Sequence, residues 1–164
     1  MGKDRPIEIH LSESDPLVGE LLDELNEGLT LKDLEYSPEE GLKPEIHFAG
    51  ELTKHFSSKY REYAVLEGNL FSRFLTLCVG TGTVIFDEVE SPVKAIFIEP
   101  EFEEAFGYEE ETSVFLENGE EYELYYLIKD HVEIQPVLRE TVFLNKNPYP
   151  RVAYYEDKGP KGQP

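Results

Sequence analysis

Four histidines, one cysteine and a large surplus of carboxylates are the side chains in this sequence that could do chemistry. His10, His47, His55 and His131 are dispersed along the chain. None makes the His-Glu-x-x-His spacing that sets two imidazoles on one helix face around a zinc ion. Cys78, standing alone, excludes an internal disulfide and any cysteine-based zinc centre. It lies in an apolar run with no His or Lys beside it, so it reads as a buried structural thiol rather than a nucleophile. Gly80-Thr81-Gly82 lacks the third glycine and the following helix of a nucleotide loop, and reads as a hairpin turn. There is no Gly-x-Ser-x-Gly elbow and no Walker lysine motif. Glutamates are so numerous that any two could be named a catalytic pair, and their pattern singles none out. The expectation is therefore a chain that is not an enzyme, with no catalytic residues, no cofactor, no metal and no small-molecule substrate.

The elements that would position such residues are mostly strands. Residues 67–98 hold three runs rich in Phe, Val, Ile and Leu, separated by Gly80-Thr81-Gly82 and by the acidic Asp87-Glu88-Val89-Glu90-Ser91. β-Branched and aromatic runs bounded by Gly and Pro predict a meander, which is the expected core. Ile7, Ile9 and Leu11 alternate with polar residues and predict a short strand. Asp15-Pro16 offers an N-cap and a first-turn proline. Leu17, Val18, Leu21, Leu22 and Leu25 follow at helical spacing, and Gly28 closes the helix. Residues 29–43 are acidic and irregular. Ile46 and Phe48 open a strand reaching towards Leu52. Lys54, His55, Lys59 and Arg61 form a small basic island. Tyr60, Tyr63, Val65 and Leu66 lead into another strand, which Gly68-Asn69 is expected to turn into the central stretch.

Between Glu99 and Glu123 stand eleven glutamates and no Lys or Arg. This predicts an acidic excursion, over residues 99–121, anchored by Phe102, Phe106, Tyr108, Val114, Phe115 and Leu116, with Asn118-Gly119 as a turn. Tyr122, Leu124, Tyr126 and Ile128 alternate like a strand. A late helix is expected from about Glu133 to Leu144, since Pro136 fits only its first turn and Asn147-Pro148 stops it. Ile134, Val137, Leu138, Thr141 and Asn145 would face the sheet, with Leu144 and Val142 at the edges and Arg139 and Phe143 on the other side. The predicted organisation is an N-terminal strand and helix arm (1–43), a β-rich core domain (44–150) and a flexible tail (151–164). Its fold class is α+β: a curved or barrel-like, mostly antiparallel sheet with an N-terminal helix and a late C-terminal helix. Arg139 and Phe143, with Tyr149 and Arg151, make the candidate interaction patch, because Arg and aromatics are enriched in binding hot spots.

The net charge of −20, from 35 acidic against 15 basic residues, disfavours phosphate backbones and suits basic partners. The charged start of the chain lacks an apolar signal region, and no run reaches the ~20 apolar residues of a membrane span. A cytoplasmic location with no membrane contact is expected.

The central stretch and the late helix resemble the YceD family, the bacterial large-ribosomal-RNA-subunit accumulation proteins. Leu70 to Cys78 looks like the family's lead-in strand and residues 99–121 like its variable acidic part. Glu133-Ile134 stands where an Asp-Leu-like pair opens the family's helix. Arg139-Glu140, then Val142-Phe143-Leu144, then Pro148 look like the Arg-Glu, apolar and proline positions. The order of parts covers roughly residues 45 to 150. The family's Cys-x-x-Cys is missing: if Cys78 is its second cysteine, Leu75 replaces the first, and if Cys78 is its first, Thr81 replaces the second. The later cysteine cluster of many members is also absent, so no metal role carries over. The resemblance implies a non-catalytic ribosome-biogenesis factor supporting 23S ribosomal RNA synthesis, processing or stability. Its partner would be a basic ribosomal protein or a pre-50S particle, with 23S RNA within reach. Acidity alone suggests a different class, a nucleic-acid mimic that fills the basic groove of a DNA-binding protein. A hydrolase with a carboxylate pair is a third class, and it would need a cleft around paired glutamates.

Overall fold

The β-branched and aromatic runs between residues 45 and 98 form three strands much longer than the ~5–6 residues of an average strand. In the computed structural model, residues 5–34, 41–101 and 112–150 are described. The elements are β1 (Ile7–Ser12), α1 (Pro16–Asn26), a 3-10 turn (Leu31–Asp33), β2 (Glu45–Ser57), β3 (Arg61–Leu77), β4 (Val84–Ile98), β5 (Ser113–Phe115), β6 (Glu121–Tyr126) and α2 (Gln135–Asn145). The strands make one open six-stranded sheet in the order β1-β2-β3-β4-β6-β5. It is mostly antiparallel, with β4 and β6 parallel from Ala95 opposite Glu123 to Ile98 opposite Tyr126. The protein is thus a mixed α+β fold with one N-terminal and one late helix.

Two expected turns are strand interior. β3 runs for 17 residues straight through Gly68-Asn69. Gly68 does not bend the chain. It lets β3 approach β2 closely: a Cβ on Gly68 would meet Gly50 Cα at 2.6 Å and the Ala49 carbonyl oxygen at 2.4 Å. The Phe48 ring lies over both glycines, within 2.6 and 2.8 Å of where their Cβ atoms would be. β4 likewise runs for 15 residues through Asp87 to Ser91 and Pro92. The predicted second and third strands of the meander are one strand. Val89, Ser91 and Val93 are buried while Glu88, Glu90 and Pro92 are exposed, which is the alternation of a half-buried strand. Pro92 is tolerated because the ladder to β6 begins only at Ala95. The Gly80-Thr81-Gly82 turn is observed: Gly82 has φ 76°, and its N–H donates to the Cys78 carbonyl at 2.7 Å.

The chain divides into two compact units, and β1, β2, β3, β4 and α2 give residues to both. The first unit holds residues 1–10, 48–70 and 91–141. Its core is Tyr60, Val65, Ile96, Ile98, Tyr122 and Leu124, with Tyr63, Val114, Leu116 and Tyr126 packed against it. The described part of the acidic stretch is no excursion. Residues 113–126 form the β5–β6 hairpin, turned at Asn118-Gly119 with Gly119 at φ 82°. Glutamates there occupy outward positions while Tyr122 and Leu124 point into the core.

The opposite face of β6 carries Glu123 and Tyr125. Tyr125 stacks on Phe97 with ring centroids 5.5 Å apart, and its hydroxyl donates to Glu140 of α2. Burial and that bond raise the Tyr125 pKa far above its ordinary value. Burial, then the charges of Glu140 and Glu121, also hold the Glu123 carboxyl above its ordinary 4.5. A carboxyl with a raised folded pKa binds its proton more tightly in the folded state. Stability is then lost as pH rises through the window above 4.5. Glu123→Gln should therefore melt at a higher temperature than the parent at pH 7, and the gap should close as the pH falls towards the ordinary carboxylate range. A gap that is constant with pH would show that the charge of Glu123 is not its cause.

The second unit holds residues 11–47, 71–90 and 142–164. Val18, Leu21, Leu22 and Leu25 of α1 are buried, while Leu17 is exposed. Asp15 does not cap α1 with its side chain; its carboxylate accepts the Ser12 N–H at 2.8 Å instead. The helix ends on two left-handed residues, Glu27 at φ 49° and Gly28 at φ 82°. Asn26 Oδ1 accepts the Leu75 N–H at 2.8 Å and Glu13 Oε1 accepts the Ile46 N–H at 3.0 Å, so α1 is tied to β3 and its entry turn to β2. Cys78 is buried. Residues 35–40, the anchors Phe102, Phe106 and Tyr108, and the expected tail 151–164 lie outside the described residues.

Candidate binding site

Strand alternation assigns the two faces of the first unit. Tyr63 and Val65 of β3 face the core cluster. Their neighbours Glu62 and Ala64, and Leu52 and Lys54 of β2, therefore face the other way. On that side a cavity of about 490 Å³ opens. Its apolar wall is Ile7, Leu52, Ala64, Leu127 and Val132. Its polar groups are Lys54, Glu62, Glu99, Asp130 and His131, so three carboxylates stand against one ammonium. Tyr63 also borders it. Because the Tyr63 ring packs on Tyr60 and stacks on His55 at 5.2 Å, its contribution is backbone. Burial and the charge of Glu117 raise the Tyr63 pKa.

Strand β6 is prolonged towards the cavity by the Leu127 N–H, which donates to the Ile98 carbonyl at 2.8 Å. The chain then reverses in a tight turn. Ile128 and His131 exchange both backbone hydrogen bonds, at 3.0 and 2.9 Å. Lys129 and Asp130 between them have φ 53° and 64°. Two left-handed central residues define a type I′ turn, which favours Asn-Gly. Here Lys-Asp takes that strain and sets Asp130 and His131 at the cavity. Lys129→Asn should stabilise the protein by about 0.5–1 kcal/mol, because asparagine tolerates this backbone better. For a domain of this size that raises Tm by roughly 1–4 °C. A melting temperature equal to or below the parent's would show that Lys129 holds the turn by its side chain.

The basic island is dispersed by the same alternation. Lys54 lies at the cavity and His55 on the opposite face. Lys59 sits over the Tyr60 ring at 5.1 Å, and Arg61 pairs with Glu101 at 3.0 Å. Of the expected interaction patch, Arg139 is exposed on α2 and Phe143, one turn later, is half-buried. Lys146 lies 4.9 Å from the Phe143 ring centre. Tyr149 is 70% exposed, and Arg151 lies outside the described residues. The inward face of α2 is Val137, Leu138 and Val142, with Thr141 half-buried. Asn145, expected inward, is exposed because the helix ends on it, and Leu144 is 72% exposed.

Among the described residues, no three His, Cys, Asp or Glu side chains are grouped so as to hold a metal ion. No described helix is long and apolar enough to cross a membrane. What the cavity can do chemically is hold a group with an apolar stem and a positive end. No family model matches the chain, and no curated protein or solved structure matches it either.

Proposed function

We propose that this protein is a non-catalytic cytoplasmic factor for ribosome biogenesis, supporting 23S ribosomal RNA synthesis, processing or stability by holding a basic ribosomal protein or docking on a pre-50S particle. The observation that carries the reading is an acidic surface mounted on ordered sheet. Glu117, Glu120 and Glu121 are exposed on the β5–β6 hairpin, Glu120 paired with Lys94, and the hairpin's strands pair in register from Ser113 opposite Glu123 to Phe115 opposite Glu121. Phe115 on its edge strand is 70% exposed. A fixed array of carboxylates beside an exposed aromatic steers a basic partner and then gives it an apolar anchor. The specific partner class comes from the resemblance of residues 45–150 to the YceD family.

The test is co-purification at low salt, followed by binding of purified basic large-subunit proteins across a salt series. Pre-50S particles or a basic ribosomal protein should be recovered. Their binding should weaken as salt shortens the Debye length below about 8 Å. Recovery of a DNA-binding protein instead, with no ribosomal component, would replace this reading by nucleic-acid mimicry.

A further inference from the structure

We infer that the cavity of the first unit is a receptor for a lysine or arginine side chain presented by a basic polypeptide; this rests on the reading of the protein as a docking factor for a basic partner. The volume of about 490 Å³ is within the range of small-ligand pockets. Its form suits a long aliphatic stem ending in a cation. Ile7, Leu52, Ala64, Leu127 and Val132 supply an apolar sleeve for methylenes. Glu62, Glu99 and Asp130 supply three carboxylates for the cationic end, with Lys54 the one opposing charge. An anionic ligand would meet those carboxylates, and a wholly apolar one would gain nothing from them. The groups come from β2, β3, the end of β4 and the strained turn after β6, so the sheet holds them at fixed separation.

The probe is a labelled short peptide of alternating Lys, Arg and Gly, titrated with the full chain at low salt and followed by fluorescence anisotropy. Glu62→Gln with Asp130→Asn removes two cavity charges at exposed positions, and asparagine keeps the left-handed backbone. Glu20→Gln with Glu51→Gln removes the same charge from exposed sites outside the cavity and off the β5–β6 hairpin. The cavity pair should weaken binding roughly tenfold, and the outer pair less than about twofold, because the cavity charges stand at the cationic end itself while the outer ones act only through a screened field. Thermal melts should show both variants folded. Equal losses from the two pairs would overturn the cavity as receptor while leaving acidic docking intact. No peptide binding by the parent at any salt would overturn the receptor and the docking reading together. Displacement of the peptide by spermidine at a lower concentration than by unlabelled peptide would assign the cavity to a free amine and overturn the polypeptide occupant.

Discussion

Gly68→Ala should lower stability by about 3 kcal/mol, at the upper end of what overpacking costs. The methyl would be driven to 2.4 Å from the Ala49 carbonyl oxygen and 2.6 Å from Gly50 Cα, both backbone atoms that no rotamer change can move. The facing substitution, Gly50→Ala, meets the Glu67 carbonyl oxygen at 2.4 Å and should cost as much. Melting temperature should fall by roughly 6–12 °C in each case, at about 2–4 °C per kcal/mol for a domain of this size. Gly82→Ala is the control. Its φ of 76° strains any L-residue, but nothing lies within 4 Å of the new methyl. It should cost only about 1 kcal/mol. If Gly68→Ala and Gly82→Ala cost the same, then backbone entropy rather than close approach explains Gly68.

The second large effect is expected at Arg73. Its side chain is only 16% exposed. It donates from Nε to Glu88 at 2.7 Å and from its terminal nitrogen to Glu45. The guanidinium also lies 5.1 Å from the Phe71 ring centre. One cation of β3 thus neutralises a carboxylate on each neighbouring strand, in a chain of net charge −20. Arg73→Leu keeps the stem and strands both carboxylates. The loss should be about 2–3 kcal/mol, below the 3–5 of a fully buried pair because Glu88 is half exposed and solvent screens it. In Arg73→Leu with Glu45→Gln and Glu88→Gln, most of the loss should return, since removing all partners leaves no stranded charge. A single variant as stable as the parent in urea unfolding would mean that water and counterions already satisfy these glutamates.

Both sites show what the sequence makes legible. The short first strand could be read from Ile7, Ile9 and Leu11. α1 could be read from Asp15-Pro16 and the spacing of Val18, Leu21, Leu22 and Leu25, because local backbone preference and burial agree there. Gly80-Thr81-Gly82 and Asn118-Gly119 were legible as turns for the same reason. Gly68-Asn69 and Asp87 to Ser91 were not, because local turn chemistry there is overruled by pairing with neighbouring strands. The alternation of Glu88, Val89, Glu90, Ser91, Pro92 and Val93 did carry the strand signal. The cavity was illegible in a different sense. Its walls come from residues between Ile7 and Val132, so no local spacing marks them. The only local trace is Lys129-Asp130, a polar pair where a tight turn would prefer Asn-Gly. The expected inward face of the late helix follows helical angles at Val137 and Leu138, takes in Val142 from its edge, and fails at Asn145 because an angle does not say where a helix ends.

The parallel pairing of β4 with β6 sets a timetable for folding. β2, β3 and β4 are successive neighbours and can zip from their own hairpin loops as soon as each is available. β6 cannot join β4 until the chain between Ile98 and Glu121 has closed on itself, and β5 must turn back on β6 to complete the edge. Loop closure of this length must be spent before any ladder bond forms, so this step is the slow one. During synthesis, the flank of β4 from Ala95 to Ile98 is therefore an unpaired apolar edge until β6 has emerged. Such an edge is open to wrong partners. The eleven glutamates between Glu99 and Glu123 put like charge beside that edge, and like charge opposes its pairing with a second copy of the same chain.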